Sequence, residues 1–157
     1  MGSMTTDIGA IAMTLAKPGA LTLEEFLKLP ETKPASEYLD GEIVQKPMPK
    51  TRHSRLQAKL TAAINDVVEG KQIAYAFLEL RCTFGGRSII PDIAVFRWQT
   101  IALDENGEPF DTVLMAPIWT IEILSPEQSS NRVIGNILHC LKHGGQLGWL
   151  IPAIARS

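Results

Sequence analysis

The chain has 157 residues, of which 45% are hydrophobic and 20% are charged, and its formal net charge is −2. This length and composition fit one globular domain with a real core and leave too little chain for a second domain. The near-neutral charge excludes a global field that would attract nucleic acid, and no apolar run approaches the ~20 residues of a membrane-spanning helix.

Residues 1–20 show no hydrophobic period. The first three residues precede a second start-like Met4 and resemble a cloning remnant, so we expect a flexible arm over residues 1–20 and the domain over residues 21–157. The start lacks a basic region followed by an apolar one, which predicts a cytoplasmic protein. Cys82 and Cys140 lie in apolar surroundings, which favours buried free thiols over a disulfide or a metal site.

The first half of the domain carries helix and turn signals. Thr22 can cap a short helix with Glu25 three residues on, and Pro30 follows that helix. Asp40-Gly41 predicts a hairpin turn between two short extended pieces. From Thr51 to Glu69, apolar residues recur at helical spacing and predict the first long helix. These apolar residues are Leu56, Leu60, Ala63, Ile64 and Val67.

The second half of the domain contains strand patterns and one further helix. Residues 74–84 alternate with period two, which predicts one strand followed by a turn at Gly85-Gly86. The runs SIIPDIAVFRW and APIWTIEILSP are apolar and β-branched, as in buried strands. Residues 131–143 return to helical spacing, and LGWLI closes the domain as a strand. The order is helix, three strands, helix, strand after a short helix and a hairpin, which predicts an α/β domain with a mixed sheet.

Two carboxylates stand inside the apolar strand patterns. Asp92 and Glu122 are each flanked by isoleucine, and a buried carboxylate is costly unless it is paired, hydrogen-bonded or bound to metal. If their strands are neighbours, the two acids offer hard oxygen ligands to Mg²⁺. The alternative is that either acid only pairs with a nearby arginine. The candidates for that pairing are Arg81, Arg87 and Arg97.

The order of motifs resembles a known family. Pro91-Asp92 on one strand and Glu122 on the next resemble the PD-(D/E)XK restriction-endonuclease-like fold. The segments LTLEEFLKLP, EYLDGEIV, RSIIPDIAVF, WTIEILSPEQS and LKHGGQLGWLIP look like the Uma-type restriction endonuclease family, from about Leu21 to Pro152. The resemblance implies a Mg²⁺-dependent phosphodiesterase acting on DNA, with Mn²⁺ as a substitute, and carries Asp92 and Glu122 over as metal ligands. We also expect a homodimer.

The chain departs from the family pattern at the catalytic lysine. Leu124 stands two positions after Glu122, where many relatives have Lys, and Asn136 stands at the alternative Lys position on the following helix. Arg132 lies one turn earlier on that helix and could supply the positive charge, although a guanidinium cannot act as a base. After Pro152 the chain is also shorter than the family pattern. The competing hypothesis is therefore a catalytically weak or inactive module that binds nucleic acid or a protein partner.

Several other polar residues are weaker candidates for a metal-binding or DNA-binding role. Glu79 is either a further ligand or water-orienting acid, or an ordinary ion pair with Arg81 on the same strand face. The segment from Gln45 to Leu60 is basic and contains no acid, so it either contacts phosphates or is a solvated face. Its candidate nucleic-acid contacts are His53, Lys50, Arg52 and Arg55.

Two histidines on the last helix invite a zinc interpretation. His139 and His143 are spaced i, i+4, but they share a face with Arg132 and Asn136, as on an ordinary solvated surface. With no further Cys or His at ligand spacing, the solvated face is favoured over a zinc site.

Overall fold

The computed structural model describes residues 20–109 and 111–153. The predicted arm therefore falls, apart from residue 20, outside the described residues. Within them, no helix is long and apolar enough to cross a membrane. The helices are α1 (Leu23–Leu27), α2 (Thr51–Val68) and α3 (Ser130–Lys142), with a 3-10 turn at Trp98–Thr100. The strands are β1 (Ser36–Leu39), β2 (Glu42–Gln45), β3 (Ala74–Leu78), β4 (Cys82–Phe84), β5 (Arg87–Ile89), β6 (Ile93–Arg97), β7 (Trp119–Leu124) and β8 (Leu147–Pro152).

The strands form two four-stranded sheets. The first sheet has the order β2-β1-β5-β4 and is antiparallel throughout. The second has the order β3-β6-β7-β8, in which only the β7–β8 pair is parallel and α3 connects those two strands. The predicted α/β class with a mixed sheet is confirmed, and the order of helix, three strands, helix and strand is that of α2, the strands β3, β6 and β7 of the second sheet, α3 and β8.

The predicted local signals are found where the sequence indicated them. The Thr22 hydroxyl accepts a hydrogen bond from the Glu25 amide at 3.1 Å and caps α1. Asp40 and Gly41 take positive φ values of 52° and 91°, which match the tight turn between β1 and β2. Gly85 and Gly86 turn β4 into β5 in the same way. Both cysteines are buried and free, as predicted.

Two predicted long strands are each broken in the structure. Residues 74–84 form β3 and β4, which belong to different sheets, because Glu79 adopts a positive φ of 47° that ends β3. Residues 88–98 are likewise divided at Pro91, which has no amide hydrogen to continue a ladder. The chain therefore crosses between the two sheets at residues 79–81 and again at residues 90–92. These two crossings lie side by side, since the Glu79 amide donates to the Asp92 carbonyl at 3.4 Å.

The core lies on both faces of the second sheet. Ile93 and Val95 of β6 point toward α2, whereas Ala94 and Phe96 point to the other face, where Cys140 of α3 packs. This alternation is the period-two pattern of a central strand buried on both sides. The centre of the sheet, β6 and β7, is therefore the most enclosed part of the described fold.

Both long helices bury residues that their apolar patterns did not indicate. Val67 of α2 is exposed, whereas His53, Gln57 and Thr61 are buried with Ile64. The reason is that only the second half of α2 packs on the core, while its first half covers the polar crossing between the sheets. This polar stripe at i, i+4 and i+8 is a genuine inward face.

Helix α3 shows the same reversal. Ile134, Leu138 and Leu141 are partly or largely exposed, whereas Asn136 and Cys140 are buried. The prediction of a solvated polar face is therefore wrong at Asn136. The physical reason is that this side of α3 lies against β7 and the buried acids rather than against water.

Gly145 and Gly135 give a matched test of the packing of α3. A Cβ at Gly145 would lie 2.8 Å from the Cys140 carbonyl oxygen and 3.0 Å from that of Pro117, and backbone atoms cannot move aside cheaply. A Cβ at Gly135, inside α3, meets nothing within 4 Å. We expect Gly145→Ala to destabilise the fold by about 1–3 kcal/mol and Gly135→Ala to stabilise it by about 0.5–1 kcal/mol. Urea unfolding measures both, and equal effects would contradict the packing described here.

Candidate active site

Asp92 and Glu122 lie next to each other in the centre of the second sheet. Ile93 of β6 pairs with Ile121 of β7, so the residues one step beyond this pair are Asp92 and Glu122. Their exposed fractions are only 2% and 3%. The Glu122 carboxyl lies within hydrogen-bonding reach of Asp92. The expectation that the two strands are neighbours is confirmed.

Asp92 is held by the backbone and by two side chains. Its Oδ2 accepts a hydrogen bond from the Ile123 amide at 2.7 Å and lies 3.2 Å from His53 Nε2. Its Oδ1 accepts from Lys46 Nζ at 2.9 Å. Burial alone would raise the pKa of Asp92, but the His53 hydrogen bond and the Lys46 charge outweigh it and lower the pKa to about 2. Asp92 is therefore ionised at every ordinary pH.

The arginine pairing considered for the two acids is wrong. Arg81 binds Glu31 through two nitrogens, at 2.8 and 2.7 Å, and Arg87 binds Asp40. Both of these pairs lie at the surface of the first sheet. The partner of Asp92 is instead a lysine from the end of β2.

A third buried acid, Glu37, joins the pair from the first sheet. Its Oε2 accepts from the Ile90 amide at 2.7 Å, and its Oε1 accepts from Asn136 Nδ2 at 3.2 Å. Burial raises the pKa of Glu37, and the nearby Asp92 charge adds to this, while Lys46 opposes it. Sequence reasoning missed Glu37, because a short hairpin strand gives no sign that it lies in the middle of a sheet. β1 is in fact flanked by β2 and β5 and is buried along its first three residues.

Lys46 is the second residue that sequence reasoning missed. Its Nζ donates to Asp92 Oδ1 at 2.9 Å, to the Ile90 carbonyl at 2.6 Å and to Glu79 Oε2 at 3.1 Å. Burial would lower the pKa of Lys46, but the charges of Asp92, Glu122 and Glu79 raise it above its usual range. The side chain is thus a permanent ammonium ion inside the site. The segment that contains Lys46 is visibly basic, but nothing in its spacing distinguishes Lys46 from its exposed neighbours.

Glu122 is the buried acid whose negative charge is least offset by neighbouring groups. Burial raises the pKa of Glu122 well above its usual value, and the Asp92 charge raises it further, while Lys46 acts in the opposite direction. Three buried carboxylates, Glu37, Asp92 and Glu122, therefore share one ammonium ion. Such a group favours either a proton or an additional cation.

His53, Gln57 and Glu79 complete the side of the site that faces α2. His53 is buried, so the solvated position considered for it is wrong. Gln57 Nε2 donates to the Asp92 carbonyl at 2.7 Å and to Glu79 Oε1 at 2.8 Å. Glu79 does lie at the site, but its ionic partner is Lys46 and not Arg81, because its positive φ turns it out of the strand.

Asn136 and Arg132 line a cavity of about 170 Å³ with two of the acids, Glu37 and Glu122. Arg132 is exposed at the rim, whereas Asn136 is buried against Glu37. The Oδ1 atom of Asn136 is buried and finds no hydrogen-bond partner among the described residues. The structure therefore places both residues at the cavity that Glu37 and Glu122 line.

These residues fit a divalent metal. The carboxylates of Asp92 and Glu122 adjoin, Glu37 is near them, and the unpartnered Asn136 oxygen lines the same cavity as Glu37 and Glu122. All of these are the hard oxygen donors that such ions prefer. In the described part of the chain, no three acidic, histidine or cysteine side chains converge as a ready-made metal cluster. A site built on one or two carboxylates with water is the kind that Mg²⁺ uses.

The predicted nucleic-acid contacts fall into two groups. Lys50, Arg52 and Arg55 are exposed around the start of α2, and Lys50 forms an ion pair with Glu127. His53 lies between them in sequence but points inward to Asp92. Of these four predicted contacts, His53 therefore lies inside the site and the other three are exposed at the start of α2. His139 and His143 lie elsewhere, against Phe84 of β4.

Comparisons with known proteins show which family and fold the chain resembles. The Uma2 family model, described as "Putative restriction endonuclease", matches residues 23–157, which include all the acids of the site. The chain is 61% identical to a putative nuclease belonging to DUF820 from Anabaena variabilis ATCC 29413, whose crystal structure superposes with a TM-score of 0.82. This likeness covers 84% of the chain and 74% of that protein. No curated protein matches the chain.

Proposed function

Because the chain belongs to the Uma2 family of putative restriction endonucleases, we propose that it hydrolyses DNA phosphodiester bonds with a divalent metal held by Asp92 and Glu122. Families with this fold generally use a divalent metal, and a nuclease implies DNA as the substrate. Mg²⁺ is the proposed ion and Mn²⁺ its substitute. Homodimerisation and a cytoplasmic location stay predictions from the sequence.

The observation that carries the proposal is the unbalanced charge of the buried acids. Asp92 is ionised, since its pKa is about 2, and the pKa of the adjoining Glu122 is raised because burial and the Asp92 charge outweigh the offset that Lys46 provides. A second cation would allow Glu122 to ionise as well. A purely structural ion pair would need one acid and one base, not three acids around one ammonium.

Each residue has a defined task in this proposal. Asp92 and Glu122 hold the metal, and Glu37 and Asn136 line the cavity on the Glu122 side. When bound, the metal acts as a Lewis acid that polarises the phosphodiester and favours the ionisation of water. His53 and the Ile123 amide fix the orientation of the Asp92 carboxylate. Gln57 fixes the backbone of the same residue.

The charge distribution supports DNA as the substrate. Lys50, Arg52 and Arg55 are exposed at the start of α2, and Arg132 is exposed at the rim of the acidic cavity. Phosphate contacts by such side chains position a duplex without reading its sequence. The acids would otherwise repel the DNA backbone, so these cations are needed at the edge of the site.

A second candidate function is an inactive module that binds nucleic acid or a protein partner. Asn136 favours it, since an amide supplies no positive charge at the usual lysine position and here donates to Glu37. In this second candidate function, the protein binds metal or DNA but does not cleave DNA.

Cleavage of supercoiled plasmid separates the two candidates. We expect the purified protein to nick or linearise plasmid in Mg²⁺ or Mn²⁺. Cleavage should stop when EDTA removes the metal. Titration calorimetry with Mn²⁺ should detect a site in the same protein. Mn²⁺ binding without cleavage in either metal would favour the inactive module, and the lack of both would overturn the proposed metal site.

A further inference from the structure

The ammonium group of Lys46 lies inside the candidate active site and not on the protein surface. Its side chain is only 9% exposed, although it comes from the end of a hairpin strand. It reaches across from the first sheet and contacts the crossing of residues 90–92 and the carboxylate of Asp92. The two usual lysine positions hold Leu124 and the amide Asn136, so Lys46 is the one buried ammonium among the acids of the described site.

We propose that Lys46 supplies the positive charge that contacts the scissile phosphate during DNA cleavage. This inference rests on the proposed nuclease function. Lys46, which follows β2, then takes the place of the lysine that the family pattern has after the strand glutamate or on the following helix. A cation that touches the phosphate stabilises the negative charge that develops in the transition state.

The three hydrogen-bond partners of Lys46 show where the phosphate would enter. Two of them, the Asp92 carboxylate and the Ile90 carbonyl, are buried. The third is Glu79 Oε2 at 3.1 Å, and the Glu79 side chain is 44% exposed. The third donor of the ammonium therefore points to the accessible side, where it contacts an anionic carboxylate oxygen. A phosphate oxygen is the same kind of acceptor and can take its place.

Lys46 lines two neighbouring cavities that both contain acids of the site. Lys46 lines the cavity of about 170 Å³ that holds Glu122 and Asn136. It also lines a second cavity of about 160 Å³ that holds His53, Glu79 and Asp92. Lys46, Pro47 and Gln128 are common to both, so the ammonium lies between the cavity that Glu122 lines and the cavity that Asp92 lines.

A counter-ion role makes a different prediction from a phosphate-contacting role. If Lys46 only neutralises Asp92, a bound metal ion can take over that role, so a folded variant keeps its cleavage rate once Mn²⁺ is saturating. If Lys46 contacts the phosphate, its removal slows cleavage, whereas metal binding tightens because a like charge has left the site. Slower cleavage at saturating Mn²⁺, together with tighter Mn²⁺ binding, is therefore expected only for the proposed role.

The test compares Lys46→Gln and Lys46→Met with Lys71→Gln. Lys71 is an exposed lysine beyond the far end of α2, so its variant removes the same charge outside the site. We expect Lys46→Gln to lower the cleavage rate at saturating DNA by ~10²–10³-fold and to raise Mn²⁺ affinity by ~5-fold or more. Lys71→Gln should change neither. Lys46→Met keeps the length of the side chain and replaces Lys46→Gln if that variant does not fold, as judged by circular dichroism.

Amine rescue adds a readout that a structural role does not move. Lys46→Ala should regain part of its cleavage rate when propylammonium is added, and Asp92→Asn should not. Unchanged cleavage in folded Lys46 variants, or parallel loss of cleavage and Mn²⁺ binding without rescue, would overturn the inference while the nuclease function stands. If the wild-type protein cuts no DNA in any metal, the proposed function fails first and the role of Lys46 falls with it.

Discussion

Asp92→Asn is expected to lower metal-dependent DNA cleavage by at least ~10³-fold and to remove detectable Mn²⁺ binding. The pKa of about 2 means that Asp92 carries a full charge in any cleavage assay. Asparagine has the same shape but no charge, so the site loses one of its two adjacent anionic ligands. The amide also has an NH₂ group where Asp92 accepts hydrogen bonds on both oxygens, from Lys46 and from the Ile123 amide.

The fold must be checked in the same variant, because Asp92 also compensates the buried Lys46. The folded pKa of Asp92 lies below its ordinary value of 3.8, so the stability it contributes is present above about pH 4 and is lost as pH falls toward 2. Near neutral pH Asp92→Asn should therefore be less stable than wild type. Asp66→Asn, an exposed aspartate on α2, is the matched control and should cut normally. Rapid cleavage by a folded Asp92→Asn protein would exclude Asp92 as a metal ligand.

The acids at the centre of the site were predictable because burial of charge is costly. Asp92 and Glu122 stand in apolar runs, and that cost alone predicted neighbouring strands and a shared partner. The partner itself was not predictable. Lys46 and Lys50 are four positions apart in one basic segment, yet the first is buried and the second is exposed at the rim. That difference depends on how the hairpin lies across the second sheet.

The breaks in the strands show a similar limit. The alternation over residues 74–84 continues through Glu79, and a left-handed conformation is uncommon for glutamate, so residue type does not reveal the turn. Pro91 was a usable signal, because proline inside a central strand argues against a continuous ladder. The polar stripe His53, Gln57 and Thr61 was a second one. Three polar residues at i, i+4 and i+8 fit a buried polar face as well as they fit a solvated one. In this protein, the first half of α2 covers the site with these three residues.

Glu122→Gln is expected to stabilise the metal-free protein at pH 7–8 and to remove its stabilisation by metal. Burial and the Asp92 charge raise the folded pKa of Glu122 above its ordinary value of 4.5. The stability linked to the protonated carboxyl is therefore fully present below about pH 4.5 and is lost as pH rises through the folded pKa. Glutamine does not titrate, so the variant keeps that stability. A gain of about 1 kcal/mol corresponds to about 2–4 °C in Tm for a chain of this size.

Bound metal is expected to reverse the order of thermal stability of the wild-type and Glu122→Gln proteins. In wild type, a cation that binds the ionised carboxylates stabilises the fold by about 2.7 kcal/mol at 100 times its Kd. Glu122→Gln has lost one anionic ligand, so its Tm should hardly respond to Mg²⁺ or Mn²⁺. Thermal unfolding at pH 5 and pH 8, with and without metal, measures both effects, and Glu105→Gln, an exposed loop residue, serves as the control. A metal-free Glu122→Gln protein less stable than wild type at pH 8 would mean that the Glu122 carboxylate is already compensated, and the case for an added cation at this site would fail.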